Sequence, residues 1–95
     1  MAYAPDNSAR SLQLPEVLDL AAAAPLAKSL AEERGTDIVV DASQVQHLGA
    51  QCLQVLLAAA STWRAEGVAL HIVNQSAAFL AALELVGVPA ATFAK

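Results

Sequence analysis

The stretch from Asp37 to Leu57, DIVVDASQVQHLGAQCLQVLL, constrains this chain more than any other part of it. A short β-branched run ends in an acid, a polar loop follows, and then comes a helix-forming segment with almost no charge. Between Asp41 and Arg64 there is no Lys, Arg, Asp or Glu. Solvated helices normally carry such residues on their outer face. So long a gap therefore means a segment that is buried or covered by a partner. The run Ile38 to Val40 fits a central strand covered on both faces. The loop after such a strand is where open α/β sheets place their sites.

The rest of the chain repeats this rhythm. A first helix is expected from about Ala22 to Arg34, capped at or near Asp19 and stopped by Gly35. Leu26 and Leu30 would face the sheet. Pro25 is tolerable there if it lies in the first turn, where its missing N–H has no partner to lose. A second helix is expected from about Ala50 to Glu66, stopped by Gly67. Val68 to Val73 alternates as a strand, and Ser76 caps a third helix from about Ala77 to Val86. Near the N-terminus, Ser11–Leu14 and Glu16–Leu18 read as two short edge strands around Pro15, forming an antiparallel hairpin. Residues 1–10 read as a flexible tail, 11–95 as one domain, and Pro89 onward as a short tail or a last edge strand. Strands alternating with helices imply parallel βαβ units. The expected fold is a single α/β domain, with a mixed, mainly parallel sheet of about four strands and helices packed on it.

Composition removes several function classes. The chain has 95 residues, 57% of them hydrophobic and 15% charged, enough for one core and too few for two. Its net charge is -4 with five Lys+Arg, so it has no electrostatic footprint for nucleic acid or anionic lipid. Cys52 is the single cysteine, which rules out an internal disulfide and fits a reduced compartment. The start, MAYAPDNSAR, lacks an apolar signal core, and a cytoplasmic location is expected. No apolar run reaches the roughly 18 residues of a membrane span. No Gly-rich cradle precedes a Lys. His47 and His71 have no Cys, His or Asp neighbours at ligand spacing, so no metal is expected. No nucleophile, base and acid can be placed together, so neither a cofactor nor enzyme activity is expected.

Single residues refine the reading. Asp41 is expected to bond to turn backbone, as Asx side chains do, and Ser43 to do likewise with its hydroxyl. Cys52, in the first turn of the second helix, is expected to be buried and unreactive. In that helix Leu53, Leu56, Leu57 and Ala60 form the stripe toward the sheet. Gln51, Gln54, Val55, Ala58 and Thr62 point outward or sideways. This outer strip of small and amide side chains suits a protein contact, because interface cores are depleted of charge. Trp63, the only Trp, is either an interface anchor or a cover over the end of the core with its indole N–H in solvent.

The order of elements, and the residues Ile38-Val39-Val40-Asp41-Ala42-Ser43, Val45, Leu48 and Leu53-Gln54-Val55-Leu56-Leu57, resemble the STAS domain. Gly67, Val68, Leu70, the Asn74-Gln75-Ser76 turn and Val86-Gly87-Val88 also fit, so the resemblance runs from about Leu12 to Val88. STAS domains serve as anti-sigma-factor antagonists, as sulfate-transporter tails and as an accessory subunit of lipid transport. In the antagonists a loop reading roughly D-S-S-G carries a Ser or Thr whose phosphorylation ends partner binding. Here Gly49 takes the place of the acid, Ala50 that of the first serine, Gln51 that of the acceptor and Cys52 that of the glycine. Neither Ala50 nor Gln51 has a hydroxyl, so the charge that phosphate would add cannot be placed there.

The pattern ASQVQHLGAQCLQVLL with the late Trp63 is also similar to small stand-alone STAS proteins of bacterial chemotaxis clusters. The resemblance implies a non-enzymatic adaptor in signal transduction whose partner is a histidine kinase, a receiver or an anti-sigma-like kinase. The docking residues expected are Ser43, Gln44, Gln46, His47, Gly49, Ala50 and Gln51 in the loop, and Gln54, Val55, Ala58 and Thr62 on the helix. Two alternatives stay open: a cytoplasmic STAS subunit of a lipid-transport ABC transporter, and an anti-sigma factor antagonist or small-ligand or nucleotide sensor. Monomer and weak dimer are both compatible with the sequence.

Overall fold

Ile38 and Val40 are fully buried. They lie in β3 (Asp37–Asp41), the middle strand of a parallel sheet ordered β1 (Ala9–Gln13), β3, β5 (Leu70–Val73). The structure, a computed structural model, describes residues 9–93. The register sets Leu12 beside Val40 and Val40 beside Ile72, so these three share one face. Ser11, Val39 and His71 share the opposite face, where Ser11 is exposed and the other two are half-buried. The β-branched run is therefore fully covered on one face only. Leu26 and Leu30 of the first helix, Leu53 and Leu56 of the second, and Phe79 and Leu83 of the third all join Ile38, Val40 and Ile72 in one cluster. The helices draw their buried side chains to the same side of the sheet.

The N-terminal hairpin is not formed. β2 (Val17–Leu18) pairs in parallel with β4 (His47–Leu48), as a separate two-stranded sheet. Backbone bonding explains the difference. The Leu14 N–H donates to the Asp41 carbonyl, and the Glu16 carbonyl accepts from the N–H groups of Gln46 and His47. The chain leaving β1 is thus held against the segment after β3 and does not fold back on itself. The expected tail, residues 1–10, lies outside the described residues except for Ala9 and Arg10, which open β1.

The first helix, α1 (Leu20–Ala31), starts two residues earlier than expected. Asp19 caps it, its Oδ1 accepting the Ala22 N–H at 3.2 Å. Pro25 consequently lies inside the helix, beyond the first turn. Its ring leaves the Ala21 carbonyl without an i+4 donor, and Ala21 is exposed, so water can serve that oxygen. The second helix, α2 (Ala50–Ala65), and the third, α3 (Ala77–Leu85), match their expected starts. The Ser76 hydroxyl caps α3 by accepting the Phe79 N–H at 3.1 Å. An ion pair between Arg34 and Glu66 joins the chain just past α1 to the end of α2. Past Pro89 the described residues form neither tail nor strand. Ala90–Phe93 forms a 3-10 turn, and its buried Phe93 packs edge-on against Phe79 with ring centres 6.3 Å apart.

Candidate docking surface

The loop after β3 is fixed from its first residue. Asp41 Oδ1 accepts the Ser43 N–H at 2.8 Å, and Oδ2 accepts from the Asn74 amide at 3.0 Å. Bonding from the Ser43 side chain, then from its N–H and from Asn74, holds the Asp41 carboxyl below the usual aspartate range. Asp41 is therefore an anchor of the turn. Next, buried Ala42 donates to the Val73 carbonyl and accepts from the Ser76 N–H, while the carbonyl of buried Val45 accepts the Ser76 hydroxyl at 2.6 Å. Pinned at Ala42 and Val45, the loop turns Ser43, Gln44, Gln46 and His47 outward, and all four are exposed.

Gly49 follows, as the N-cap of α2, and no side chain caps that helix. Its N–H donates to the Leu18 carbonyl at 2.8 Å, which joins the start of α2 to the corner between β2 and α1. Ala50 and Gln51 stand exposed in the first turn. The positions that would carry the phosphoacceptor thus face solvent, and neither has an oxygen nucleophile.

Along α2 the buried positions are Cys52, Leu53, Leu56, Ala59 and Trp63. This corrects the expected stripe, because Leu57 and Ala60 are only half-buried. The helix packs beside α1 as well as on the sheet, so its covered face turns toward α1. Gln51, Gln54, Ala58, Ser61 and Ala65 recur at helical spacing and are all exposed, a strip with no charge. Val55 and Thr62 are half-buried instead. With Ala27, Leu30, Ala31 and Arg34 of the α1 side they line a shallow groove of about 230 Å³, at which Ala58, Ala59 and Trp63 also lie. The expected docking residues therefore divide. The loop, Gln51, Gln54 and Ala58 form an exposed face, while Val55 and Thr62 lean into the seam between helices.

A family model described as Mlab, STAS domain matches residues 1–90. The chain belongs to the STAS domain family. No curated protein and no solved structure matches it. STAS domains are in general binding modules that act through protein partners, and such a role is what membership assigns here. Among the described residues of this STAS domain, no helix is long and apolar enough to cross a membrane, and no group of His, Cys, Asp and Glu is arranged to hold a metal.

Three side chains of the STAS domain settle into structural positions. Cys52 is buried, with its thiol against the Asp19 carbonyl at 3.2 Å. Burial, with the Asp19 charge adding to it, pushes the thiol pKa up. Trp63 is 2% exposed, and its indole N–H donates to the Thr36 carbonyl at 2.8 Å. It is a core residue whose polar atom meets backbone, neither an exposed anchor nor a cover with its N–H in water. Ser43 is exposed, and its side chain and N–H both bond to the Asp41 carboxylate, where turn backbone was the expected partner of the hydroxyl.

Sequence reasoning missed Val17 and Leu20. Val17 pairs with His47 and is 51% exposed, while Leu20, the first residue of α1, is 73% exposed. The Gly49–Leu18 bond places both at the start of α2. Only the β2–β4 pairing brings them there, and a two-residue strand carries no period from which to read a partner.

Proposed function

We propose that this STAS domain is a non-enzymatic, cytoplasmic adaptor of bacterial signal transduction. It docks on a histidine kinase or its partner protein in a chemotaxis-type system, through the loop Ser43–Gln51 and the outer strip of α2. The observation that carries this reading is the uncharged strip Gln51, Gln54, Ala58, Ser61 and Ala65, continuous with the exposed loop and unsuited to a helix face left in water. Its amides can pair across a contact, and its alanines permit close approach. Docking is not released by phosphate at Ala50 or Gln51, since neither side chain can accept a phosphoryl group.

The family match carries the description Mlab rather than a chemotaxis one, and this gives weight to a second reading. In it the same face seats the domain on the ATPase of a lipid-transport assembly. Titrating the purified chain against the cell's own histidine kinase and against its transporter ATPase separates the two. Under the first reading the kinase binds and the ATPase does not, and Gln54→Glu or Ala58→Glu abolishes binding with the far-UV circular dichroism unchanged. If both variants still bind, the docking face is elsewhere.

A further inference from the structure

The described cations of this fold gather at one end, which also holds Glu32, Glu33, Asp37, Glu66 and Glu84. The four basic residues among those described are Arg10, Lys28, Arg34 and Arg64. Arg10 opens β1, Lys28 and Arg64 lie in the last turns of their helices, and Arg34 follows α1. All four thus stand where strands begin and helices end, and Arg10 and Arg34 are paired there with Glu33 and Glu66. The opposite end, where β3 finishes and α1 and α2 start, carries Glu16, Asp19 and Asp41 and no described cation. Val17 and Leu20, two of the five exposed large apolar side chains among the described residues, flank Asp19 at that same end.

We infer that the docking face continues from α2 across the β2–α1 corner, with Leu20 and Val17 as apolar anchors, and that its occupant is a protein presenting an apolar socket rimmed by Lys or Arg. This inference rests on the docking reading above. Charge complementarity selects the occupant. An acidic rim with no described cation beside it repels acidic surfaces and draws a basic one during encounter. Apolar side chains this exposed, inside such a rim, are covered when that surface arrives. Asp19 is committed to capping α1, so the rim's free carboxylate beside the anchors is Glu16.

The test is the association of the purified chain with the cell's own histidine kinase, followed over a salt series with variants at the corner. Leu20→Ser is expected to weaken binding about tenfold or more. Glu16→Lys is expected to slow association and to flatten its salt dependence. Leu85→Ser, at a side chain 87% exposed near the end of α3, is expected to bind like the wild type. Circular dichroism confirms folding for each variant, since all three positions are exposed. Gln54→Glu abolishing binding while Leu20→Ser and Glu16→Lys leave it unchanged overturns this inference and spares the docking reading. A wild-type chain that fails to bind both the kinase and the transporter ATPase overturns both.

Discussion

The Leu18 carbonyl oxygen accepts the Gly49 N–H and stands 3.2 Å from the point a Cβ on residue 49 would occupy. One oxygen thus ties the corner before α1 to the start of α2 and leaves little room for a side chain there. Gly49→Ala isolates this crowding, because alanine brings no capping oxygen of its own. The variant is expected to lose about 1 to 2 kcal/mol, from overpacking and from the poorer N-cap. Urea denaturation measures it, and a midpoint equal to the wild type would show that the corner yields freely.

Phosphate is expected nowhere at stoichiometric level in the segment Ser43–Gln51 after co-expression with cognate kinases. Ala50 and Gln51 cannot take it. Ser43, though exposed, sits in a turn closed by its own N–H on the Asp41 carboxylate, so a phosphate there would face an existing negative charge. Phosphopeptide mapping reads the outcome directly.

Asp41 gives the fold an acid-side dependence whose sign is fixed. Its folded pKa lies below the unfolded value of about 3.9. The stability it contributes is therefore complete above that value and is lost as pH falls through the folded pKa. Asp41→Asn is expected to be less stable than the wild type at neutral pH, with the gap closing on acidification. Urea midpoints across a pH series test this, and a gap that stays constant would exclude the carboxylate as its source.

Cys52 is expected to resist thiol reagents at neutral pH while the chain is folded and to react at once in urea. Burial removes access, and the raised pKa removes thiolate. Fast labelling of the folded protein would mean that the start of α2 opens readily.

Much of this fold was legible because its signals are local. Asp19 and Ser76 announce helix starts through their own oxygens, and Gly67 allows the positive φ at the end of α2 that a Cβ resists. The loop's exposed amides were legible too, since no apolar period claims them. What escaped depends on pairing between distant segments. β2 and β4 are two residues each, and their hydrogen bonds arise only once Glu16 and Gln46 are brought together. The buried face of α2 was misread for a related reason. Packing on α1 draws in Cys52 and Ala59, small residues that hydrophobic spacing alone does not separate from Leu57 and Ala60.

The indole of Trp63 is shut inside, bonded to Thr36. It is the sole Trp of the chain. Tryptophan emission from this protein therefore reports one interior spot, where α2 meets the chain entering β3. Its colour follows the dryness of that spot, giving an unlabelled optical gauge of whether the domain is folded.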